Sequence, residues 1–302
     1  MARILCGDTE FGYDEAGGGE PAVVLVHAGL ADRRMWAHQF RSLAADHRVI
    51  RYDCRGHGET GSGSEPRAHH EDLLALLDAL EVPRAALIGC SMGGSYAVEA
   101  ALAAPERVTA LALISPGLSG RPWPEDMLLE AAERVHARIP AERREVYRAG
   151  GTTEHLLADA LATAEAHIEW MMAGPRRDRS ALPHEAWELA VQMYREHLER
   201  LWSGEESPST EVLPEPLPGT RLDRVVAPTL VVNGLDDVPG VRDVAAEVAE
   251  GIPGARRIDL PDTGHLAPLE HPAEVTDILR SFLASASTVP TREDPGAPAG
   301  PA

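Results

Sequence analysis

The pentapeptide Gly89-Cys90-Ser91-Met92-Gly93 limits what this chain can fold into more than any other stretch. Before it, Ala85-Ala86-Leu87-Ile88 is a short apolar run, the pattern of a buried strand. After it, Gly94-Ser95-Tyr96-Ala97-Val98-Glu99-Ala100-Ala101-Leu102 is rich in small residues and reads as a helix. Strand, sharp turn and helix are the setting in which G-x-S-x-G lifts a serine above a sheet edge. The turn forces Ser91 into a strained backbone conformation. Gly89 and Gly93 flank it because a Cβ at either place would crowd strand against helix. The Met92 N–H, at the helix N-terminus, then faces any oxyanion formed beside the serine. The pentapeptide is short enough to arise by chance, but its setting and its partners downstream argue against that.

A serine hydroxyl is a poor nucleophile until a base takes its proton, and the base needs an orienting acid. In this setting the chain order is Ser, then Asp or Glu, then His. That order is present. Ala227-Pro228-Thr229-Leu230-Val231-Val232-Asn233-Gly234 reads as a buried strand ending in a turn, with Leu235-Asp236-Asp237 next. Ala255-Arg256-Arg257-Ile258-Asp259-Leu260 reads as a last strand, with Pro261-Asp262-Thr263-Gly264-His265 as its exit loop. Ser91, one aspartate and His265 thus each follow the C-terminal end of a strand, where open α/β sheets place their ligand crevice.

Over nearly its whole length the chain resembles the α/β-hydrolase family. His27-Ala28-Gly29, after the strand Ala22-Val23-Val24-Leu25-Val26, is similar to that family's His-Gly-x oxyanion loop. Asp53-Cys54-Arg55-Gly56-His57-Gly58-Glu59-Thr60 resembles its D-x-R-G-x-G-x-S segment, and Gly264-His265 followed by Glu270-His271-Pro272 its terminal histidine loop. Two departures stand out: Ala28 replaces the usual glycine, and Thr60 the usual serine. The resemblance implies Ser91 as nucleophile, His265 as base, and the N–H groups of Gly29 and Met92 as the oxyanion hole. It places the acid three residues after the turn glycine, which counts from Gly234 to Asp237. Asp236 is then a loop residue or turn cap. Ser115, where some relatives carry an acid, cannot serve as one.

The implied activity is hydrolysis of a small-molecule carboxylic ester or lactone. Enol-lactonases of the family look similar around Arg51-Tyr52-Asp53 and His57-Gly58. Alternatives on the same fold and triad are C–C bond hydrolysis, perhydrolysis, a biosynthetic cyclisation, or a ligand receptor; fold does not choose among them.

The organisation agrees with an α/β sheet covered on both faces. Ile4 to Asp14 reads as a hairpin turning at Gly7-Asp8. Met35–Ala45 reads as a helix, Arg48–Tyr52 as a strand, and Arg67–Leu80 as an amphipathic helix with Leu73, Leu74, Leu77 and Leu80 on one face. After Leu118 strand signals vanish for about a hundred residues. Helical stretches take over: Pro124–Arg138, Ala141–Arg148, Thr153–Met172 and Ser180–Leu201. The expected division is therefore a core in two parts, 1–118 and 221–284, a helical lid over 119–220, and a disordered tail over 285–302. Trp170 and Trp187, with Met171, Met172, Met193, Tyr194 and Trp202, are candidates to line the pocket. Aromatic and methionine residues at helical spacing more often pack a core.

A formal net charge of -20 argues against nucleic-acid or anionic-membrane partners. No apolar run approaches membrane-spanning length, and no N-terminal stretch reads as a signal peptide. Three widely spaced cysteines do not make a disulfide framework, so a cytoplasmic protein is expected. A homodimer is compatible with the composition. No cofactor is implied. His69-His70 is not a metal pair, because adjacent residues do not share a helix face, and no metal site is expected. Cys90 reads as a small apolar filler. His27, in the oxyanion loop, reads as a structural hydrogen-bonding residue. The remaining histidines among the thirteen carry no further signal.

Overall fold

The computed structural model describes residues 2–204 and 211–286. The chain opens with a hairpin of β1 (Ala2–Cys6) and β2 (Thr9–Ala16). Gly7, at φ +63, opens its two-residue turn, where a side chain would be strained. The other strands are β3 (Ala22–Val26), β4 (Val49–Tyr52), β5 (Ala85–Cys90), β6 (Val108–Ile114), β7 (Thr229–Gly234) and β8 (Arg256–Leu260). They form one eight-stranded sheet ordered β1-β2-β4-β3-β5-β6-β7-β8. Only the β1–β2 and β2–β4 pairings are antiparallel. Strands β3, β5 and β7 are buried along their whole length, which is why each reads as a continuous apolar run.

From β3 the chain moves to β4 on one side of the sheet, then to β5 on the other. The carboxyl ends of β3 and β5 therefore flank the switch point where such sheets open a crevice. Gly29 follows the first and Ser91 the second. Helices α1 (Ala37–Leu43), α2 (His69–Ala79) and α3 (Met92–Ala103) cover this half. The helix expected from Met35 starts as a 3₁₀ turn over Arg33–Trp36, capped by the Asp32 side chain accepting from the Arg34 N–H. On α2 the inward residues are Leu73, Leu76 and Leu77, with Leu80 at its end, while Leu74 sits at the margin. The i, i+3, i+4, i+7 spacing from Leu73 includes Leu76, not Leu74.

Between β6 and β7 lies an all-helical insertion: α4 (Glu125–Arg134), α5 (Ala141–Arg148), α6 (Leu156–Ile168) and α7 (His184–Ser203). The stretch expected as one helix to Met172 ends at Ile168 and continues as a π-turn, Glu169–Ala173, that stops at Gly174 (φ +78). A Cβ at Gly174 would lie 1.7 Å from the Asp236 carbonyl oxygen. The turn is thus pressed onto the loop after β7. Helices α8 (Pro239–Gly251), α9 (Ala267–Glu270) and α10 (Pro272–Ala286) complete the fold. The tail was expected from Ser285; α10 runs through Ala286, and residues 205–210 and 287–302 lie outside the described ones.

Candidate active site

The turn after β5 has the geometry its glycines demand. Ser91 sits at φ 52, ψ -116, a conformation rare for a residue with a side chain. A Cβ at Gly89 would lie 2.3 Å from the Gly93 oxygen, and one at Gly93 2.3 Å from the Val26 oxygen. Strand, turn and helix meet too closely for either. The Ser91 N–H donates to Ile114 O (3.0 Å) and its carbonyl accepts from Gly117 N (2.9 Å), so β6 helps hold the strain.

Ser91 Oγ–H donates to His265 Nε2 at 2.8 Å, and His265 Nδ1–H donates to Asp237 Oδ2 at 2.7 Å. His265 and Asp237 are buried, while Ser91 remains partly accessible. Asp237 Oδ1 also accepts the Val238 N–H (2.7 Å), which fixes the carboxylate's rotation. The turn glycine Gly234 packs against the histidine loop: a Cβ there would lie 2.3 Å from Gly264 O. Asp236 points elsewhere, pairing with Arg176 (2.7 Å) and Arg177 (3.5 Å) of the insertion.

Gly29 and Met92 are neighbours, since a Cβ on Gly29 would touch Met92 Sδ at 3.4 Å and Cβ at 3.7 Å. The Met92 N–H is the first of α3 and has no partner within the helix. Ala28, the departure from glycine, is buried with its N–H on Met35 Sδ (3.4 Å). His27 braces the loop from below: Nδ1–H donates to Ala28 O and Nε2 accepts the Cys54 N–H, both at 2.8 Å. Burial lowers its pKa to about 4, so it stays neutral. Thr60 bridges Asp53 O and the Gly12 N–H, and Asp53 accepts from Arg33, through backbone and side chain, and from the Glu59 N–H. This segment is a structural hub, and its His57 ring stacks on the helical insertion.

Beside Gly29 the fold assembles a ring that includes two of the expected pocket candidates, Trp170 and Tyr194, and three histidines that were not expected there. His57 Nε2 lies 3.3 Å from Gly29 O, its ring stacks on His197 of α7 (4.3 Å, 7°), and Tyr194 lies beside His197. His167 of α6 meets Tyr194 through Nδ1 and Oη at 3.1 Å and approaches Trp170 at 5.8 Å. Trp170 packs in a cluster with Leu30, the residue after Gly29. The contacts close into a ring from Gly29 through His57, His197, Tyr194, His167 and Trp170 back to Leu30. Burial lowers His57 and His197 to about 3 and His167 to about 4, and raises Tyr194 to about 12. Every member is therefore uncharged at neutral pH. Yet Ser91, Met92, Leu30, His57, His167, Tyr194 and His197 are all partly accessible. The signal in sequence was faint: three histidines on three segments that only the fold brings together.

Trp170 thus lies on the ring. Trp187 is buried in the packing of α7 with Arg179 over its face at 4.8 Å, and none of its described contacts reaches the triad. Trp202 stacks on Tyr147 (4.5 Å). A cavity of about 620 Å³ opens on the far side of His197 and Met193. Its arginines are paired, Arg33 and Arg51 with Asp14 and Arg34 with Asp32 and Glu196, and neither Ser91 nor His265 lines it. His70 pairs with Glu99 (3.0 Å) while His69 stacks on Tyr96, and no metal-ligating cluster occurs among the described residues. Cys90 is buried with Sγ 3.8 Å from His265 O, and burial raises its pKa. No helix of the described residues is long and apolar enough to cross a membrane.

A mostly parallel sheet with a strained serine at its switch point, hydrogen-bonded to a histidine and an aspartate from later strand ends, defines a hydrolase of α/β architecture. The chain belongs to the alpha/beta hydrolase fold family, whose model matches residues 21–272. It is 31% identical to a 2-hydroxy-6-oxononadienedioate/2-hydroxy-6-oxononatrienedioate hydrolase of Paraburkholderia phymatum, over 93% of this chain and 94% of that one. Among solved structures it resembles a thermophilic esterase from Thermogutta terrifontis (TM-score 0.69, 26% identity, 95% of this chain and 100% of that one). It also resembles Est816, an N-acyl homoserine lactone degrading enzyme (TM-score 0.66, 25% identity, 93% and 100%).

Proposed function

We propose that the protein hydrolyses an uncharged carboxylic ester or lactone through an acyl-enzyme on Ser91. The observation that carries this is the continuous row Ser91 Oγ–His265 Nε2–His265 Nδ1–Asp237 Oδ2, with both links under 3 Å. As Ser91 Oγ attacks the carbonyl carbon, His265 Nε2 takes its proton. Asp237 holds the ring in the required tautomer and stabilises its cationic form. The N–H groups of Gly29 and Met92 receive the oxyanion; each such donor contributes about 3 kcal/mol. The C–O bond breaks and the alcohol leaves with the proton from His265. Water, deprotonated by His265, then attacks the acyl carbon; Ser91 departs with that proton and the acid is freed. In a lactone the leaving alcohol remains tethered to the acyl group.

The helical insertion acts in this reading as a lid. It roofs the cleft with His167, Trp170, Tyr194 and His197 and excludes water from the reacting atoms. A second reading, C–C bond hydrolysis, has the similarity to the dienedioate hydrolase in its favour. That relative's named substrate carries two carboxylates. Two anions are costly to desolvate against neutral imidazoles, a phenol and an indole. The ring therefore favours the uncharged ester or lactone. The test is kcat/KM for short aryl and acyl esters, for lactones and for a 2-hydroxy-6-oxo dienedioate, with Ser91→Ala as control. A fluorophosphonate should label Ser91 in the wild type and nothing in the variant. Faster turnover of the dioate than of every ester and lactone refutes the proposal.

A further inference from the structure

The loops that carry His265 and Asp237 are held from outside the core. The His265 N–H donates to Met171 O (3.2 Å), a carbonyl of the π-turn in the helical insertion. A Cβ on the preceding Gly264 would lie 1.9 Å from Met172 O, so the two backbones are in direct contact. Arg177, three residues beyond Gly174, fastens this joint. Its Nε–H donates to Ala173 O (2.8 Å) and Nη2–H to Met172 O (2.9 Å), which closes the π-turn. The same guanidinium reaches Asp262 O, Glu270 Oε2 (3.0 Å) and, at 3.5 Å, the Asp236 carboxylate. Its partners lie three residues before His265, five after it, and next to Asp237. Glu270 in turn accepts the Gly264 N–H with both carboxylate oxygens at 3.1 Å.

We propose that Arg177 is a positioning residue for the His265–Asp237 couple, joining the π-turn to both loops so that His265 Nε2 stays in line with Ser91 Oγ. The proposal rests on the reading of Ser91, His265 and Asp237 as the working triad. Three physical points support it. A planar group with five fixed N–H donors can span three chain segments at once, which a lysine cannot. Asp262 sits at φ 51, a strained conformation for a residue with a side chain, and such strain persists only where its surroundings hold it. Glu270 is buried so deeply that its carboxyl rises to about 7 against the pull of the Gly264 N–H and Arg177. A carboxylate there needs its cation, so Arg177 and Glu270 stand or fall together.

The test compares Arg177→Met, Arg177→Lys and wild type on an uncharged aryl ester, together with the rate of fluorophosphonate labelling at Ser91. Arg177 touches no substrate, so KM should stay within a few-fold. A displacement of His265 by about 1 Å should lower kcat about 10²-fold in Arg177→Met, and the labelling rate in proportion. Arg177→Lys, which keeps the charge beside Glu270 but not the span, should fall between the two. A folded Arg177→Met with kcat and labelling rate at wild-type level overturns the proposal, whatever its Tm; a purely structural arginine would lower Tm alone. If Arg177→Met does not fold, Arg177→Lys decides: reduced kcat at unchanged KM supports the proposal, and wild-type kcat overturns it. Equal turnover by wild type and Ser91→Ala would instead overturn the serine reading, and this proposal with it. No Arg177 variant can mimic that result.

Discussion

Acidification from pH 6.5 to 5.5 should destabilise this protein by up to about 3 kcal/mol through four buried imidazoles and one buried carboxyl, while the ring beside Gly29 stays uncharged. Burial lowers His27 and His167 to about 4 and His57 and His197 to about 3, from an ordinary value of 6.5. Below pH 6.5 the unfolded chain takes up protons that the folded one refuses. The neutral rings thus stabilise the fold fully above pH 6.5, and that contribution is lost as pH falls toward 3–4. Over the unit from 6.5 to 5.5 each ring loses about 1 kcal/mol, and the four together about 4. Glu270 acts the other way. Its carboxyl, raised from 4.5 to about 7, protonates in the fold first and returns about 1 kcal/mol over the same interval. Of the four rings only His27 is wholly buried; the other three are partly accessible, so about 3 kcal/mol is the upper figure for these five groups. Urea unfolding at the two pH values measures it directly. Tm should drop, by up to roughly 6–12 °C taking 2–4 °C per kcal/mol. Stability that is flat or rising over this interval refutes the argument. So does an NMR titration that finds His57 or His197 protonating near 6.5. The functional counterpart is that KM for an uncharged ester should not change between pH 5.5 and 8.

Asp237→Asn should lower kcat by several orders of magnitude, roughly 10⁴ by analogy with a serine protease. Asp236→Asn, which loses only its pairing with Arg176 and Arg177, should cost far less, and steady-state kinetics in which the order is reversed sink the assignment. Trp170→Ala should shift the kcat/KM ratio between short and bulky esters by about 1–3 kcal/mol. Trp187→Ala should leave that ratio alone and lower Tm by the cost of a core truncation, about 3–5 kcal/mol in stability. A ratio that moves with Trp187 and not with Trp170 would show that the cleft wall is misplaced.

Much of the site was legible because its parts obey local rules. Gly89 and Gly93 are dictated by contacts within a few residues of chain or with the adjacent strand, so the pentapeptide carried its own geometry. The step from Gly234 to Asp237 was legible for a similar reason: the Asp237 N–H returns to Gly234 O (3.3 Å) in one tight turn. The buried parallel strands announced themselves as unbroken apolar runs. The ring beside Gly29 was legible only in part: Trp170 and Tyr194 were candidates by residue type, and its three histidines were not. His57, His167, Tyr194 and His197 come from segments as much as 140 residues apart, and no period or motif links them. The same holds for the π-turn, whose residues Trp170, Met171 and Met172 continue the apolar pattern of α6 while their backbone leaves the helix.

Ser91, Asp237, His265, Gly29 and Met92 all lie outside the helical insertion in chain order, which hides how far the insertion bears on them. Sequence order is a poor guide here, because a backbone carbonyl has no residue signature. Met171 O would receive the His265 N–H whatever side chain Met171 carried. Only glycine at 264 and 174 betrays the contact, and only after the facing atoms, Met172 O and Asp236 O, are known. The side chain that reaches both loops is Arg177, an arginine at a place where a solvated charge is the ordinary expectation. Its partners Glu270 and Asp262 belong to the histidine loop, so removing the insertion would leave Glu270 buried without its cation and the His265 N–H without its acceptor. Roof and triad are therefore one mechanical unit. In the proposed reading the insertion both roofs the site and holds His265, the base that takes the Ser91 proton, so an opening motion that moves the π-turn would also loosen His265 from Ser91. Chemistry and closure would then be coupled through the same few hydrogen bonds.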